Sequence, residues 1–279
     1  MKHLFVEVKD MDRHPIVAGR FYEARPERLQ ASVDGFLGLA GDRQEGGTLL
    51  AMVPHAGYVY SGAVCGKTLG TANLAPTVLL LGPNHTGRGE RFALWPDGAW
   101  DIPGGSLPID IGLADALMAA DPAIKADTSA HLGEHSIEVV LPFLHRLNPE
   151  TAIVPICISE PSLEALERVG KAVGRVLADF GAPVSMVVSS DMSHYISHED
   201  ARKMDGMALE PMMTLEPAML YDTVRSRNIT MCGVLPMTVG LFAAKVLGAT
   251  KAELVAYATS GEVSGDFAQV VGYAGVLVR

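Results

Sequence analysis

The 279-residue sequence is poor in cysteine. Cys65, Cys157 and Cys232 are its only three, odd in number and far apart, so neither a disulfide framework nor a CxxC pair can be drawn from them. That usage suits a reducing, cytoplasmic compartment. Aromatic residues are 6% of the chain, too sparse for an obvious base-stacking platform. Basic residues are outnumbered: 22 Lys and Arg against 32 Asp and Glu give a net charge of −10, a field that repels phosphates, so no nucleic-acid partner is expected. No apolar run reaches the about 20 residues a membrane span needs. The longest, around 235–249, is interrupted by Lys245 and reads as a core helix. The N-terminal residues carry no apolar h-region, so neither a signal peptide nor a membrane partner is expected. P-loop, G-x-G-x-x-G, HExxH and G-x-S-x-G motifs are all missing, which leaves nucleotide binding, zincin chemistry and the α/β-hydrolase elbow unsupported.

What remains is a chain with 48% hydrophobic and 19% charged residues, a globular balance long enough for one large core. It lacks repeats, low-complexity tracts and Pro/Gly/Ser linkers, and 1–279 reads as a single domain. Continuous apolar runs at 48–53, 77–82, 152–158 and 184–189 read as buried strands, and two more close the chain at 253–259 and 270–278. Between them, helical periodicity covers 26–40, 61–72, 113–120, 136–147, 162–180, 200–213, 217–225 and 233–247. The segment 92–110, rich in Gly, Pro and Trp, reads as short edge strands and turns. Fully apolar strands alternating with helices predict an α/β fold, with a central, mostly parallel or mixed sheet covered by helices on both faces. Ligands in such folds sit beyond the carboxyl ends of the strands.

The candidate site residues fall at those ends. His55 follows the first buried strand in VPHAGYVYSG, and His85 follows the second in LLLGPNHTGRG. If the two strands are parallel neighbours, both imidazoles emerge at one edge of the sheet. Asp191 and His194 follow the fourth strand, in VVSSDMSHY, and belong at the same edge. Neutral imidazoles are ligands for Fe²⁺, Cu²⁺ and Zn²⁺. Cys232, in TMCGVLPM, precedes a predicted helix whose N-terminus favours thiolate, so it is either a third ligand or a small buried hydrophobe. Cys65 and Cys157 read as core. His135, in GEHSIEVVLPFL, is either a helix-entry residue bonded to a neighbouring carboxylate or an acid or base facing the site. His3, His14, His131, His145 and His198 have no strand-end context and read as surface or structural. Ser190, Asp191 and His194 lie within five residues, too close for a linear relay from one loop.

The pieces RHPIVAGRFYE, VPHAGYVYSG, LGPNHTG, EHSIEVVLPFL, VVSSDMSHY, TMCGVLPM and VVGYAGVLV, in this order, resemble the Memo family, from about residue 13 to the end. That family in turn is similar to the class III extradiol dioxygenases, non-haem iron enzymes with an α/β fold. The resemblance implies His55 and His85 as metal ligands, His194 as catalytic base with Asp191 beside it, and His135 as a second active-site histidine. It implies Cys232 in the position where the dioxygenases keep a ligating glutamate. It also implies Fe²⁺ as cofactor, with Cu or Zn as alternatives and a site that can be empty as purified, and a radical-SAM protein as a partner. Two features depart from some relatives: no histidine flanks Cys232, and LGPNHTG has one histidine rather than two. The functions to weigh are a metal-dependent oxidoreductase, a non-catalytic module that keeps the cleft to bind a small molecule or peptide, and a metal-dependent hydrolase.

Overall fold

A computed structural model describes residues 11–279. In chain order the elements are α1 (Pro26–Leu37), β1 (Leu50–Val53), α2 (Tyr58–Thr71), β2 (Thr77–Pro83), β3 (Phe92–Leu94), β4 (Ala99–Ile102), β5 (Gly105–Pro108), α3 (Ile111–Ala120) and β6 (Ile124–Ala126). After a 3₁₀ turn at Glu138–Val140 come α4 (Leu141–Leu147), β7 (Ala152–Ile158), α5 (Leu163–Asp179), β8 (Val184–Ser189), β9 (His194–Ile196), α6 (His198–Met213), α7 (Pro217–Ser226), α8 (Val234–Val246), β10 (Ala252–Thr259), α9 (Gly261–Ser264) and β11 (Val270–Val278). The expected α/β fold is present. The apolar run near 235–249 is α8, and no helix among the described residues is long and apolar enough to cross a membrane.

The main sheet runs β10-β11-β1-β8-β2-β7-β3-β6, with β9 added against β11. Its centre, β1-β8-β2-β7, is parallel, whereas β11 and β3 join it antiparallel. The side chains of β1 and β8 are buried throughout, as a sheet covered on both faces requires. Helix α8 lies across β1, β8, β2 and β7 with α5 behind it; α2 packs on β1, β10 and β11 with α1 and α4 behind it. Strands β1 and β2 are parallel to each other without being neighbours. β8 lies between them and is parallel to both, so the ends bearing His55 and His85 still emerge on the same edge, with Asp191 between them.

Two features of the core have measurable consequences. Helix α2 carries Gly62, Gly66 and Gly70, one per turn, against α1. A Cβ on Gly66 would lie 2.6 Å from the Phe36 carbonyl carbon, inside the backbone of α1. His131 is fully buried: its Nε2–H donates to the Ala93 carbonyl (2.9 Å), its Nδ1 faces Cys157 Sγ (3.4 Å), and the rings of Trp95 and Trp100 meet it edge-on.

Gly66→Ala should therefore destabilise the fold by about 1–3 kcal/mol in urea denaturation, because the backbone of α1 cannot yield as a side chain would. Burial, reinforced by the charge of Arg13, lowers the His131 pKa to about 4. Between pH 6.5 and 4 the unfolded chain then takes up a proton here that the folded chain refuses, so stability falls as pH drops through that window, by about 3 kcal/mol for this group. Comparing the protein with His131→Gln at pH 7 and pH 4.5 should show a shallower acid loss in the variant.

Candidate metal centre

The carboxyl ends of β1 and β2 deliver His55 and His85, and the turn before Glu138–Val140 delivers His135. The ring nitrogens of these three histidines offer donor atoms that all lie within 4.8 Å of one another, so the group could hold a metal ion. The rings of His85 and His135 stack at 5.1 Å and 17°, and His55 stands nearly perpendicular to both at 5.3 and 5.5 Å. His55 is 2% exposed and forms the floor, while His85 and His135 form a partly open rim.

Hydrogen-bond accounting fixes which nitrogens are free. The Ser189 hydroxyl has one proton and donates it to the Ser136 carbonyl (2.6 Å). It must then accept from His55 Nδ1–H (2.6 Å), which leaves His55 Nε2 with a bare lone pair. His85 Nδ1 meets Glu134 Oε1 at 2.9 Å, and that carboxylate also accepts from the backbone N–H groups of His85, His135 and Ser136. Burial works to raise the Glu134 pKa, but the hydrogen bond and charge of His85 and the backbone donors outweigh it and hold it at about 2. An ionised carboxylate only accepts, so His85 Nδ1 donates and Nε2 is the nitrogen left for a ligand role. His135 Nδ1 lies 3.6 Å from the same oxygen.

The segment Glu134-His135-Ser136 thus reaches all three imidazoles. Glu134 orients His85, His135 is itself a member, and the Ser136 carbonyl orients His55 through Ser189. Burial, then the charges of the neighbouring histidines, push the His55 pKa well below its usual value; burial likewise lowers that of His135. For His85, burial opposes the charged form, yet Glu134 wins and the pKa is raised. Two of the three rings are therefore held neutral, the state in which imidazole ligates. Imidazoles whose outer nitrogens are fixed by a carboxylate at His85 and a hydroxyl at His55 suit a first-row transition metal.

The other sequence candidates take distinct places. Cys232 Sγ lies 3.4 Å from His55 Nε2 and accepts from the Asp191 N–H at 3.2 Å, although it is not a member of the three-histidine group. A thiolate favoured by a helix N-terminus does not emerge: burial, then the Asp191 carboxylate, push the Cys232 pKa up, and α8 begins only at Val234. Asp191 Oδ1 accepts from the His55 N–H (2.8 Å) and so anchors the turn bearing that ring; burial raises its pKa. His194 lies on β9, its Nδ1–H donating to the Thr230 carbonyl (2.9 Å), which leaves Nε2 as a proton acceptor. The neighbouring Tyr195 has φ 59° and is 73% exposed. Ser190 Oγ is spent on the Asp191 carbonyl and the Gly233 N–H, which removes any serine-nucleophile reading.

Cys65 and Cys157 are core residues, as expected. His14 is exposed and paired with Asp101, His131 and His145 are structural, and His198 starts α6 bonded to Thr259. His3 lies outside the described residues. Sequence reasoning missed Ser136, Ser189 and the full reach of Glu134. The Glu-His pair at 134–135 was a signal, but the serine bridge joins positions 53 residues apart and leaves no local trace. A groove of about 630 Å³, lined in part by Phe21, Phe36, Tyr58 and Tyr60, adjoins the cluster, with the Phe21 ring 4.8 Å from that of His135.

Glu134→Gln should weaken metal binding 10- to 100-fold while leaving the chain folded, and Ser189→Ala should do so through loss of the His55 acceptor. Isothermal titration of the apo-protein with Zn²⁺ checks both.

A profile described as Memo-like protein matches residues 13–277. A MEMO1 family protein of Methanopyrus kandleri is 39% identical over 281 residues, covering 96% of this chain and 99% of the relative. Another from Aquifex aeolicus is 41% identical over 266 residues, covering 95% and 98%. Among solved structures, an uncharacterized protein from Escherichia coli K12 aligns with a TM-score of 0.52 at 13% identity, covering 81% of this chain and 98% of that one, a likeness of fold. With the profile spanning nearly all of the chain and relatives matched end to end, the protein belongs to the Memo-like family.

Proposed function

We propose that this protein is a metal-dependent oxidoreductase built on a non-haem Fe²⁺ site. The observation that carries the reading is the convergence of three imidazoles, two of which, His85 and His55, have their outer nitrogens already committed to Glu134 and Ser189. His55, His85 and His135 would hold the ion, with the Cys232 thiol beside His55 as a further soft donor. Bound there, Fe²⁺ would supply Lewis acidity toward a substrate oxygen and the one-electron chemistry that side chains lack. His194 Nε2, with its partner nitrogen pinned by Thr230, accepts the proton of a substrate hydroxyl. Asp191 holds the His55 turn and places a carboxylate near His194 to stabilise the charge that forms. The groove that adjoins His135 through Phe21 offers aromatic surface and room for a small organic substrate.

A second reading, a non-catalytic module that binds a small molecule or peptide in this cleft, is favoured by one observation. The three side chains whose donor atoms converge are all histidines, so that group has no anionic member.

Metal analysis of anaerobically prepared protein, with Fe²⁺, Cu and Zn offered in competition, tests the centre. His55→Ala and His85→Ala should each abolish loading and leave the circular dichroism spectrum unchanged. Equal loading without either ring would sink the proposal. Oxygen uptake with a panel of catechols and enols separates the two readings: turnover that is lost in His194→Ala while metal stays bound supports the enzyme, and a loaded protein inert toward the whole panel supports the binding module.

A further inference from the structure

The motif RHPIVAGRFYE has so far entered only through Phe21, beside His135, yet its first residue is a buried arginine. Arg13 is 2% exposed and all three guanidinium nitrogens are engaged. Nε donates to the His131 carbonyl (3.0 Å), Nη2 to the Glu134 carbonyl (2.6 Å) and Nη1 to Glu138 Oε2 (2.8 Å). Its charged plane also lies 4.3 Å from the Trp100 ring centroid. Glu138 is fully buried, and its carboxylate further accepts from the Ile16 and Val17 N–H groups and from the Tyr22 hydroxyl. The backbone of Arg13 is itself tied to β4, through the Ala99 carbonyl and the Asp101 N–H. One side chain therefore grips residues 131, 134 and 138, the two ends and the middle of the turn that bears Glu134, His135 and Ser136.

We propose that Arg13 is a positioning residue of the metal centre, setting its affinity by fixing the turn from which all three imidazoles are oriented. The proposal rests on the metal-binding reading above. A buried ion pair in which each guanidinium nitrogen has a partner adds little net stability but fixes one geometry. Here that geometry includes the Glu134 carbonyl, whose own side chain holds His85, and the next two residues, which supply His135 and the acceptor for Ser189. Lysine cannot replace the fork. It keeps the charge near Glu138 but offers no planar set of donors to two carbonyls and a carboxylate at once. Loss of the fork frees the turn and with it the coordinated aim of the three rings.

The test uses the full chain, stripped with EDTA and titrated anaerobically with Co²⁺, whose visible bands report coordination as well as occupancy. Arg13→Lys should bind Co²⁺ at least tenfold more weakly than the unmodified protein, with an altered visible spectrum. Val169→Ala, a cavity in the packing of α5 far from the turn, provides a control for general destabilisation; it should lower Tm yet leave affinity and spectrum unchanged. Should Arg13→Lys fail to fold, Glu138→Gln, which keeps the shape and removes the charge, should show the same loss of affinity. An unchanged affinity and spectrum in the folded variant overturns the proposal, as does an equal loss in Val169→Ala. If the unmodified protein binds no Co²⁺, it is the metal-binding reading that fails, and this proposal falls with it.

Discussion

Three consecutive residues carry the aim of three imidazoles. Glu134 accepts from His85, His135 presents its own ring, and the Ser136 carbonyl takes the Ser189 proton so that Ser189 can accept from His55. An imidazole on a flexible side chain has two nitrogens and several rotamers, and only one combination points a lone pair at a common centre. His55 and His85 are each narrowed to that combination by an outer hydrogen bond, His135 is set by its place on the turn itself, and all three depend on that single stretch of backbone. The strands supply position and the turn supplies direction.

The electrostatics follow from the same arrangement. Two titratable rings lie partly or wholly out of water in a chain with net charge −10, and burial alone pushes His55 and His135 toward neutrality. Glu134 reverses the sign at His85, where hydrogen bond and charge together exceed the desolvation cost. One carboxylate, four donors and a pKa of about 2 make Glu134 the fixed negative charge of the centre. Asp191, with burial working against its ionised form and the His55 N–H in favour of it, is the more readily protonated of the two.

Much of this was legible from sequence. The apolar runs at 152–158, 184–189 and 270–278 became strands at those bounds, because a central strand has no polar face to blur its ends. His55 and His85 could be placed together because each follows a buried strand through a proline. The strand order was not legible. Nothing local in β1 or β2 says that β8, formed about a hundred residues later, inserts between them. Short strands such as β6 and β9, three residues each, carry too little pattern to register. The Ser189 and Arg13 contacts were hidden for a different reason: a buried serine or arginine is recognised by its partners, and those lie 53 to 134 positions away.

The place of β8 has a consequence for how the protein comes into being. Until residues 184–189 are made, the strands bearing His55 and His85 have no shared neighbour to hold them in register, although the turn at 134–136 has already emerged. A nascent chain therefore carries its imidazoles for most of its synthesis as loose, separate groups. The pocket closes only when long-range pairing arrives, late and slowly in the manner of non-local parallel strands. Convergence of the three imidazoles is thereby tied to near-completion of the chain.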